Sequence, residues 1–379
     1  MGGNSEARAN AGARLASLRR FLEIEPGNAR LRRDVVDTAI AAGEFDYLRE
    51  LAEKRLATAP ADPEAQFNRA TALIGLKDYA GALETLSQLD ASISGVRFNI
   101  GFCLFALERF AESVPHLRAG YDAGERSVGL LHCLLRSLHH TGEIGVATAI
   151  ADENGALIQS DHGLAGVCAL LYGDANDVEK SARYARIALA GNPDDLNALV
   201  ALASINMLQL DIDRARAAYS RVVTLQPQNG RAWMGLGMTS MTTRDFTQAI
   251  AEMKRGLQTL PGHIGSWHAL GWAQIFDGKL EEAESTFKHA LEMNRNFCES
   301  HGNLAVVAAI RGNRQEAERF IETAERLDRA CMSSKYARTL LESSPAEGRA
   351  KLADLIATVP GHGPRLAAIL RSASDSKKP

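Results

Sequence analysis

A regular 34-residue repeat constrains this chain more than any other feature of its sequence. The pattern Trp-x-x-Leu-Gly at residues 233–237 returns 34 residues later at residues 267–271. Three prolines follow one another at the same spacing, namely Pro193, Pro227 and Pro261. A unit of this length cannot bury its apolar face alone, so it must stack on neighbouring units to form an extended array.

The period divides most of the chain into nine units, each predicted to hold a first helix, a turn and a second helix. The units are 29–62, 63–93, 94–127, 128–161, 162–195, 196–229, 230–263, 264–297 and 298–331. The second unit is three residues short, which predicts a tight link to the third. Gly43, Asp78 and Phe110 mark the predicted turns of the first three units, and the closing prolines cannot continue a helix.

A small residue opens the contact face of the second helix in six consecutive units, and an apolar residue follows one helical turn later. The small residues are Ala147, Ser181, Ala215, Ala249, Ala283 and Ala317. The residues one turn later are Ala151, Ala185, Tyr219, Met253, Phe287 and Ile321. This spacing predicts that the first helix of each unit packs against its own second helix, with Gly237 as a small contact residue on a first helix.

The repeat weakens at both ends of the chain. Residues 1–28 are predicted to form an N-terminal capping helix or half-repeat, with an amphipathic helix over 5–25 that carries Leu15, Leu18, Phe21 and Leu22. Residues 332–372 are predicted to form C-terminal capping helices over 334–342, 346–358 and 364–372. The tail at 373–379 is expected to be disordered because it is short, polar and terminal.

Composition excludes several classes of protein. The net charge of −3 gives no basic surplus for nucleic-acid binding. The five cysteines are odd in number and form no Cys-x-x-Cys pair, which favours buried thiols in a reducing compartment over disulfides or a zinc site. No apolar segment approaches the roughly 18 residues needed to span a bilayer. We therefore expect a cytoplasmic protein with no membrane insertion; the alternative is an exported protein whose signal peptide has been removed.

These phased motifs resemble the tetratricopeptide repeat family over residues 5–331. The resemblance rests on the Trp-x-x-Leu-Gly pattern, on Ala-x-x-x-Phe at residues 283–287, and on the closing prolines. It implies an all-α fold, a right-handed α-solenoid of about nine helix-turn-helix repeats with capping helices at both ends. The third, fourth, eighth and ninth units lack the closing proline, which puts their loop geometry in doubt but not the fold.

No catalytic, metal or cofactor motif is evident, so we expect a protein without enzymatic activity. The chain has no phosphate-binding loop of the Gly-x-x-x-x-Gly-Lys type and no His-Glu-x-x-His pattern. The densest polar cluster is His132, Cys133, Arg136, His139 and His140. His132 and His139 lie two helical turns apart, roughly 10 Å, which is too far to share one metal ion.

The resemblance implies that binding residues line a concave groove formed by the first helices. Within this groove we predict peptide contacts from Asn68, Phe98, Asn99, Phe102, Phe105, His132, Arg136, Met207, Met234, Met238, Met241, His268, Trp272 and Ile275. Cys133 and Val200 occupy groove positions of the same kind, and Asn303 shares the repeat position of Asn68 and Asn99. Apolar stripes on an open surface usually mark interaction sites, but an apolar stripe at helical spacing is also typical of a core.

The leading hypothesis is a protein–protein interaction scaffold or chaperone-like adaptor. It would bind an apolar peptide or amphipathic helix of a partner protein in the groove, because methionines and aromatics suit variable apolar partners. One alternative is a self-assembling structural scaffold, a homo-oligomer in which the groove or an end surface packs against a second copy. Another is the targeting module of an enzyme or of a secretion or assembly complex. If the C-terminal helices fold into the groove, its apolar residues are simply buried.

Overall fold

The computed structural model describes residues 2–342 and divides the chain into two compact units, with the boundary between Asp177 and Val178. No β-strand occurs among the described residues. The helices predicted over 346–358 and 364–372, and the predicted disordered tail, lie outside the described range. None of the described helices is long and apolar enough to cross a membrane.

Unit 1 contains the helices before residue 178. These are α1 (Gly2–Ile24), α2 (Ala29–Ala42), α3 (Phe45–Thr58), α4 (Pro63–Gly75), α5 (Tyr79–Leu86), α6 (Ser94–Ala106), α7 (Phe110–Asp122), α8 (Val128–His140), α9 (Ile144–Glu153), α10 (Gly155–Ser160) and α11 (His162–Asp174). Successive helices pack against one another along the unit. This consecutive pairing is the architecture of an α-solenoid and confirms the fold class predicted from the repeat.

Unit 2 contains the remaining described helices. These are α12 (Val178–Gly191), α13 (Leu196–Leu208), α14 (Ile212–Leu225), α15 (Gly230–Thr242), α16 (Phe246–Leu257), α17 (Ile264–Phe276), α18 (Leu280–Met293), α19 (Cys298–Ile310), α20 (Arg314–Leu327) and α21 (Met332–Glu342). Here too each helix packs on the next. The fifth predicted repeat has its first helix in unit 1 and its second in unit 2.

The turn inside each helix pair contains one residue with left-handed backbone. These residues are Gly43, Lys77, Glu108, Gly142, Asn176, Leu210, Arg244, Gly278 and Gly312, with φ between 59° and 82°. They recur every 34 residues, except for a step of 31 between Lys77 and Glu108. That step confirms the short second unit. The following residue then donates its N–H to the carbonyl five positions back, as Asp245 does to Ser240 at 2.9 Å, which closes the first helix.

A second periodic contact ties six of the nine repeats to the end of the segment before them; the other three have Leu131, Ala165 or Leu199 at the donor position and lack it. The indole N–H of Trp233 donates to the Pro227 carbonyl at 2.8 Å, and that of Trp267 donates to the Pro261 carbonyl at 2.9 Å. Other side chains make the same six-residue contact elsewhere in the chain: Arg32 to Pro26, Gln66 to Pro60, Arg97 to Ala91 and His301 to Arg295. The repeated tryptophan and proline are therefore two ends of one hydrogen bond.

The predicted packing within pairs is confirmed. All twelve small and apolar residues predicted to form the contact face of the second helix are buried. A β-carbon added to Gly271 on α17 would lie 2.3 Å from the Phe287 ring on α18, and one added to Gly237 would lie 2.5 Å from Met253 on α16. Glycine at these positions lets the paired helices approach closely.

Two details of unit 1 differ from the prediction. In α1, Leu15 and Leu22 are buried against α2, but Phe21 is 58% exposed, so the apolar face is narrower than the sequence suggested. The second helix of the fourth repeat is interrupted at Asn154. The Asn154 amide donates to the Ile150 carbonyl and to the Tyr121 hydroxyl, at 2.7 and 3.0 Å, so its side chain takes the place of a continuing helix.

Candidate functional site

Three phenylalanines form a half-buried row along α6. Phe98, Phe102 and Phe105 follow one another at i, i+4 and i+7 on this helix. The rings of Phe98 and Phe102 lie 6.3 Å apart and nearly parallel, and the edge of the Tyr79 ring meets Phe102 at 6.0 Å. The neighbouring core contains Leu104 and its partners on α4 and α5, and it does not include the row. Phe98 and Phe102 therefore pack on each other, whereas Phe105 meets the Phe110 ring at 5.8 Å.

The row continues onto α8 through Phe105. The His132 ring meets Phe105 edge-on at 6.3 Å, and the Arg136 guanidinium lies 5.4 Å from the centre of the Phe105 ring. Burial lowers the pKa of His132, and Arg136 lowers it further, while Asp161 opposes both effects. At neutral pH the positive charge here therefore resides on Arg136. We call Phe98, Phe102, Phe105, His132 and Arg136 the α6–α8 patch.

The predicted peptide-binding asparagines have different surroundings. Asn68 on α4 and Asn99 on α6 are half-buried, and each directly follows a phenylalanine, Phe67 and Phe98. Asn303 on α19 is buried, and its side-chain amide lies 2.7 Å from the Ser333 hydroxyl oxygen. Asn303 therefore joins two helices of the chain and does not face an open surface.

The methionines of α13 and α15 are exposed to different degrees. Met238 is 43% exposed. Met234 and Met241 lie on the same helix but pack, partly buried, against a core of α16 and α17 residues. Met207 on α13 is half-buried. Within this set, Met238 offers the most apolar surface to a partner.

The α17 residues predicted to line the groove meet other helices of unit 2. The His268 Nε2 atom lies 2.9 Å from the Ser300 hydroxyl on α19, and burial lowers the pKa of His268 despite the opposing charge of Glu299. The Trp272 ring lies 6.0 Å from the Tyr336 ring on α21. Ile275 packs, partly buried, against the same α19–α21 core. Helix α21 therefore covers this end of the predicted surface.

Tyr336 is a site residue that the prediction missed. It is buried, and α21 packs on α19 with Ala337, Leu340 and Leu341 beside it. The spacing of Tyr336 and Leu340 is a signal of an amphipathic helix. It identifies an apolar face but not the helix that this face covers.

The polar cluster on α8 and one residue on α13 differ from the prediction. Cys133 and Val200 were expected on the groove surface, but both are 3% exposed because they lie inside helix–helix contacts. His139 lies 2.7 Å from an Asp174 carboxylate oxygen, and His140 stacks on Phe110 with the ring centres 4.1 Å apart. The two histidines thus point to separate partners.

A cavity of about 540 Å³ lies elsewhere in unit 1, between α1 and α3. Its lining includes Arg19, Tyr47, Lys54 and Arg55, and the Arg19 guanidinium lies 3.4 Å from the centre of the Tyr47 ring. The repeat pattern did not predict this cavity, because the cavity is formed between the capping helix α1 and the first helix pair, α2 and α3.

Two family models described as tetratricopeptide repeat match residues 209–264 and 264–297. A search of curated protein sequences gives no match.

Several solved structures are similar to the chain. A complex titled APC/C hetero-tetramer Cut9-Hcn1 aligns over 100% of this chain and 95% of its own, with 14% identity and a TM-score of 0.53. YrrB, titled a TPR protein with an unusual peptide-binding site, aligns over 50% of this chain and 96% of its own, with 18% identity and a TM-score of 0.39. MamA from Desulfovibrio magneticus RS-1 aligns over 40% of this chain and 86% of its own, with 18% identity and a TM-score of 0.37. The Cut9-Hcn1 structure, with a TM-score of 0.53 at 14% identity, supports the fold of this chain and nothing beyond the fold.

Proposed function

Because the chain carries tetratricopeptide repeats, we propose that it is a non-enzymatic protein-interaction scaffold that binds an apolar or amphipathic segment of a partner protein. We place the binding surface on the first helices of the repeats predicted over residues 29–331, in each unit by itself. The observation that carries the proposal is the α6–α8 patch, where three half-buried phenylalanines adjoin one histidine and one arginine.

The chemistry of the patch supports an apolar ligand with a negative charge at one end. Aromatic side chains provide large contact areas and lose little conformational entropy on binding, and aromatic and arginine residues dominate binding energy at protein interfaces. His132 contributes no charge at neutral pH, so Arg136 is the cation beside Phe105. We therefore expect the ligand to combine apolar side chains with an acidic residue placed against Arg136. Asn68 and Asn99 would hold its backbone through their amides.

In unit 2 the proposed contact is centred on Met238. Met234, Met241, Trp272 and Ile275 already pack partly within the chain, so they offer less surface to a partner. We therefore place the main binding surface in unit 1.

The test uses the full chain and a phage-displayed library of random peptides. Selected peptides are synthesised with a fluorophore, and their Kd values are measured by fluorescence anisotropy for wild type and for Phe98→Asp. Loss of an aromatic anchor costs about 2 kcal/mol, so Phe98→Asp should weaken binding by roughly 10-fold or more. Circular dichroism verifies that the variant keeps its helix content.

Phe21→Asp is the matched control, because Phe21 is 58% exposed on α1, away from the patch. It should leave the Kd unchanged. Equal affinity of the selected peptides for wild type and Phe98→Asp would refute the placement of the site. An equal loss in Phe21→Asp would show that binding is a general effect of exposed apolar surface.

A further inference from the structure

Two cysteines and a glutamate meet where α21 begins beside the start of α19. Cys298 and Glu299 are the first two residues of α19, and Cys331 directly precedes α21. The two sulfur atoms and a Glu299 carboxylate oxygen all lie within 4.8 Å of one another. Throughout residues 2–342, no other three His, Cys, Asp or Glu side chains come as close together.

The Glu299 carboxylate is held in place by the first residues of α21. One oxygen, Oε1, accepts the Met332 N–H at 2.8 Å; the other, Oε2, accepts the Ser333 N–H at 3.2 Å and the Ser333 hydroxyl at 2.5 Å. A carboxylate has about four acceptor positions, so one position remains on Oε1. Hydrogen bonds that orient a carboxylate in this way are typical of the second shell of metal sites.

We propose that Cys298, Cys331 and Glu299 bind one zinc ion, with a water molecule as the fourth ligand. Two sulfurs and one oxygen are ligands that zinc accepts in tetrahedral geometry, with Zn–S bonds of ~2.3 Å. That geometry places the sulfurs ~3.8 Å apart. The two sulfurs lie within 4.8 Å of each other, and Cys298 is only half-buried, so a rotation of its side chain supplies the remaining approach and an entry path.

Binding would be coupled to the protonation of the thiols. An ordinary cysteine thiol has a pKa of about 8.5 and is therefore mostly protonated at neutral pH. A divalent cation binds thiolates, so each bound ion releases two protons, one from each sulfur, to solvent.

The position of the site gives the ion a structural consequence. It would join α19 directly to α21, the helix whose Tyr336 covers Trp272. Zinc would therefore stabilise the covered state of that surface. This inference is independent of the peptide-binding proposal, because none of its three ligands belongs to the α6–α8 patch.

The test uses the full chain, reduced and stripped of metal with a chelator, and titrated with Co²⁺ as an optical probe. We expect one equivalent of Co²⁺ to produce a thiolate-to-cobalt charge-transfer band, displaced by Zn²⁺, with two protons released per Zn²⁺. Cys298→Ser should weaken metal binding by more than about 100-fold, beyond the effect of losing an outer-shell partner. It is preferred to a Cys331 variant because Cys331 is 1% exposed and its replacement endangers folding.

Cys168→Ala is the matched control, since Cys168 is a buried cysteine in unit 1 and should leave the band unchanged. Zinc should raise the Tm of wild type and of Cys168→Ala but not that of Cys298→Ser. The proposal is overturned if the folded, reduced chain gives no charge-transfer band. It is also overturned if the band survives in Cys298→Ser, or if the two cysteines form a disulfide in air and the reduced protein binds no Co²⁺.

Discussion

The left-handed residue inside each helix pair allows a reciprocal substitution between adjacent repeats. Arg244 has φ of 66° and the equivalent Gly278, one repeat later, has φ of 79°. Both residues are exposed, and a β-carbon on Gly278 would meet no atom within 4 Å. A side chain introduced at position 278 therefore causes no clash, and the backbone conformation decides the change in stability.

The magnitude follows from two opposing effects. A left-handed conformation costs a non-glycine residue roughly 1–2 kcal/mol, while glycine costs about 0.5–1 kcal/mol through the greater freedom of the unfolded chain. Arg244→Gly should therefore stabilise the protein by about 0.5–1 kcal/mol, and Gly278→Arg should destabilise it by a similar amount. The two sites share no partner, so the double variant should lie near wild type.

Urea unfolding followed by circular dichroism measures these differences. Gly262→Arg is the control, because Gly262 is equally free of neighbours but has no left-handed φ. That change should be neutral or slightly stabilising, since it only restricts the unfolded chain. The reasoning fails if Arg244→Gly destabilises the protein, or if Gly278→Arg and Gly262→Arg lower stability equally.

Two further predictions concern packing and pH. Gly271→Ala should destabilise the protein by about 1–3 kcal/mol, because the new methyl group would overlap the fully buried Phe287 ring. Gly12→Ala, which lies in open space on α1, should instead stabilise the protein by up to about 1 kcal/mol through helix propensity. Equal effects of the two substitutions in urea unfolding would contradict this reasoning. His132 has a lowered pKa in the folded state, so its contribution to stability is complete above the unfolded pKa of about 6.5 and is lost as pH falls towards the folded pKa. His132→Gln should therefore lose less stability than wild type between pH 7.5 and 5.5 in unfolding experiments, and an NMR titration that gave His132 an ordinary or raised pKa would refute this reasoning.

The fold could be predicted in detail because the repeat assigns each residue a position within its 34-residue unit. Once Gly271 and Phe287 have their positions on the first and second helix of one unit, their contact follows from the geometry of paired helices. The depth of a side chain on the binding face could not be predicted in this way. Met234 and Met238 lie one turn apart on α15, yet Met234 packs beside Gly256 of α16, where a β-carbon would lie 3.0 Å from its side chain. That difference depends on a residue of another helix.

Contacts between separate repeats were also beyond the sequence pattern. Cys298 and Cys331 form no local motif, because they are 33 residues apart, and they meet only through the packing of α21 on α19. The coverage of Trp272 by Tyr336 has the same origin. The sequence raised this coverage only as an alternative, since the repeat pattern ends before α21.

The hydrogen bond that ties six of the repeats to the segment before them has a consequence for how such chains diverge. Its acceptor is a backbone carbonyl, which persists whatever residue occupies that position, and its donor is supplied by arginine, glutamine, tryptophan or histidine in different repeats. Mutation can therefore exchange one donor for another while the bond survives. The segment matched by the family models, 209–297, contains both tryptophan donors. The sequences of the repeats can therefore diverge from one another while the hydrogen bond between adjacent segments is kept.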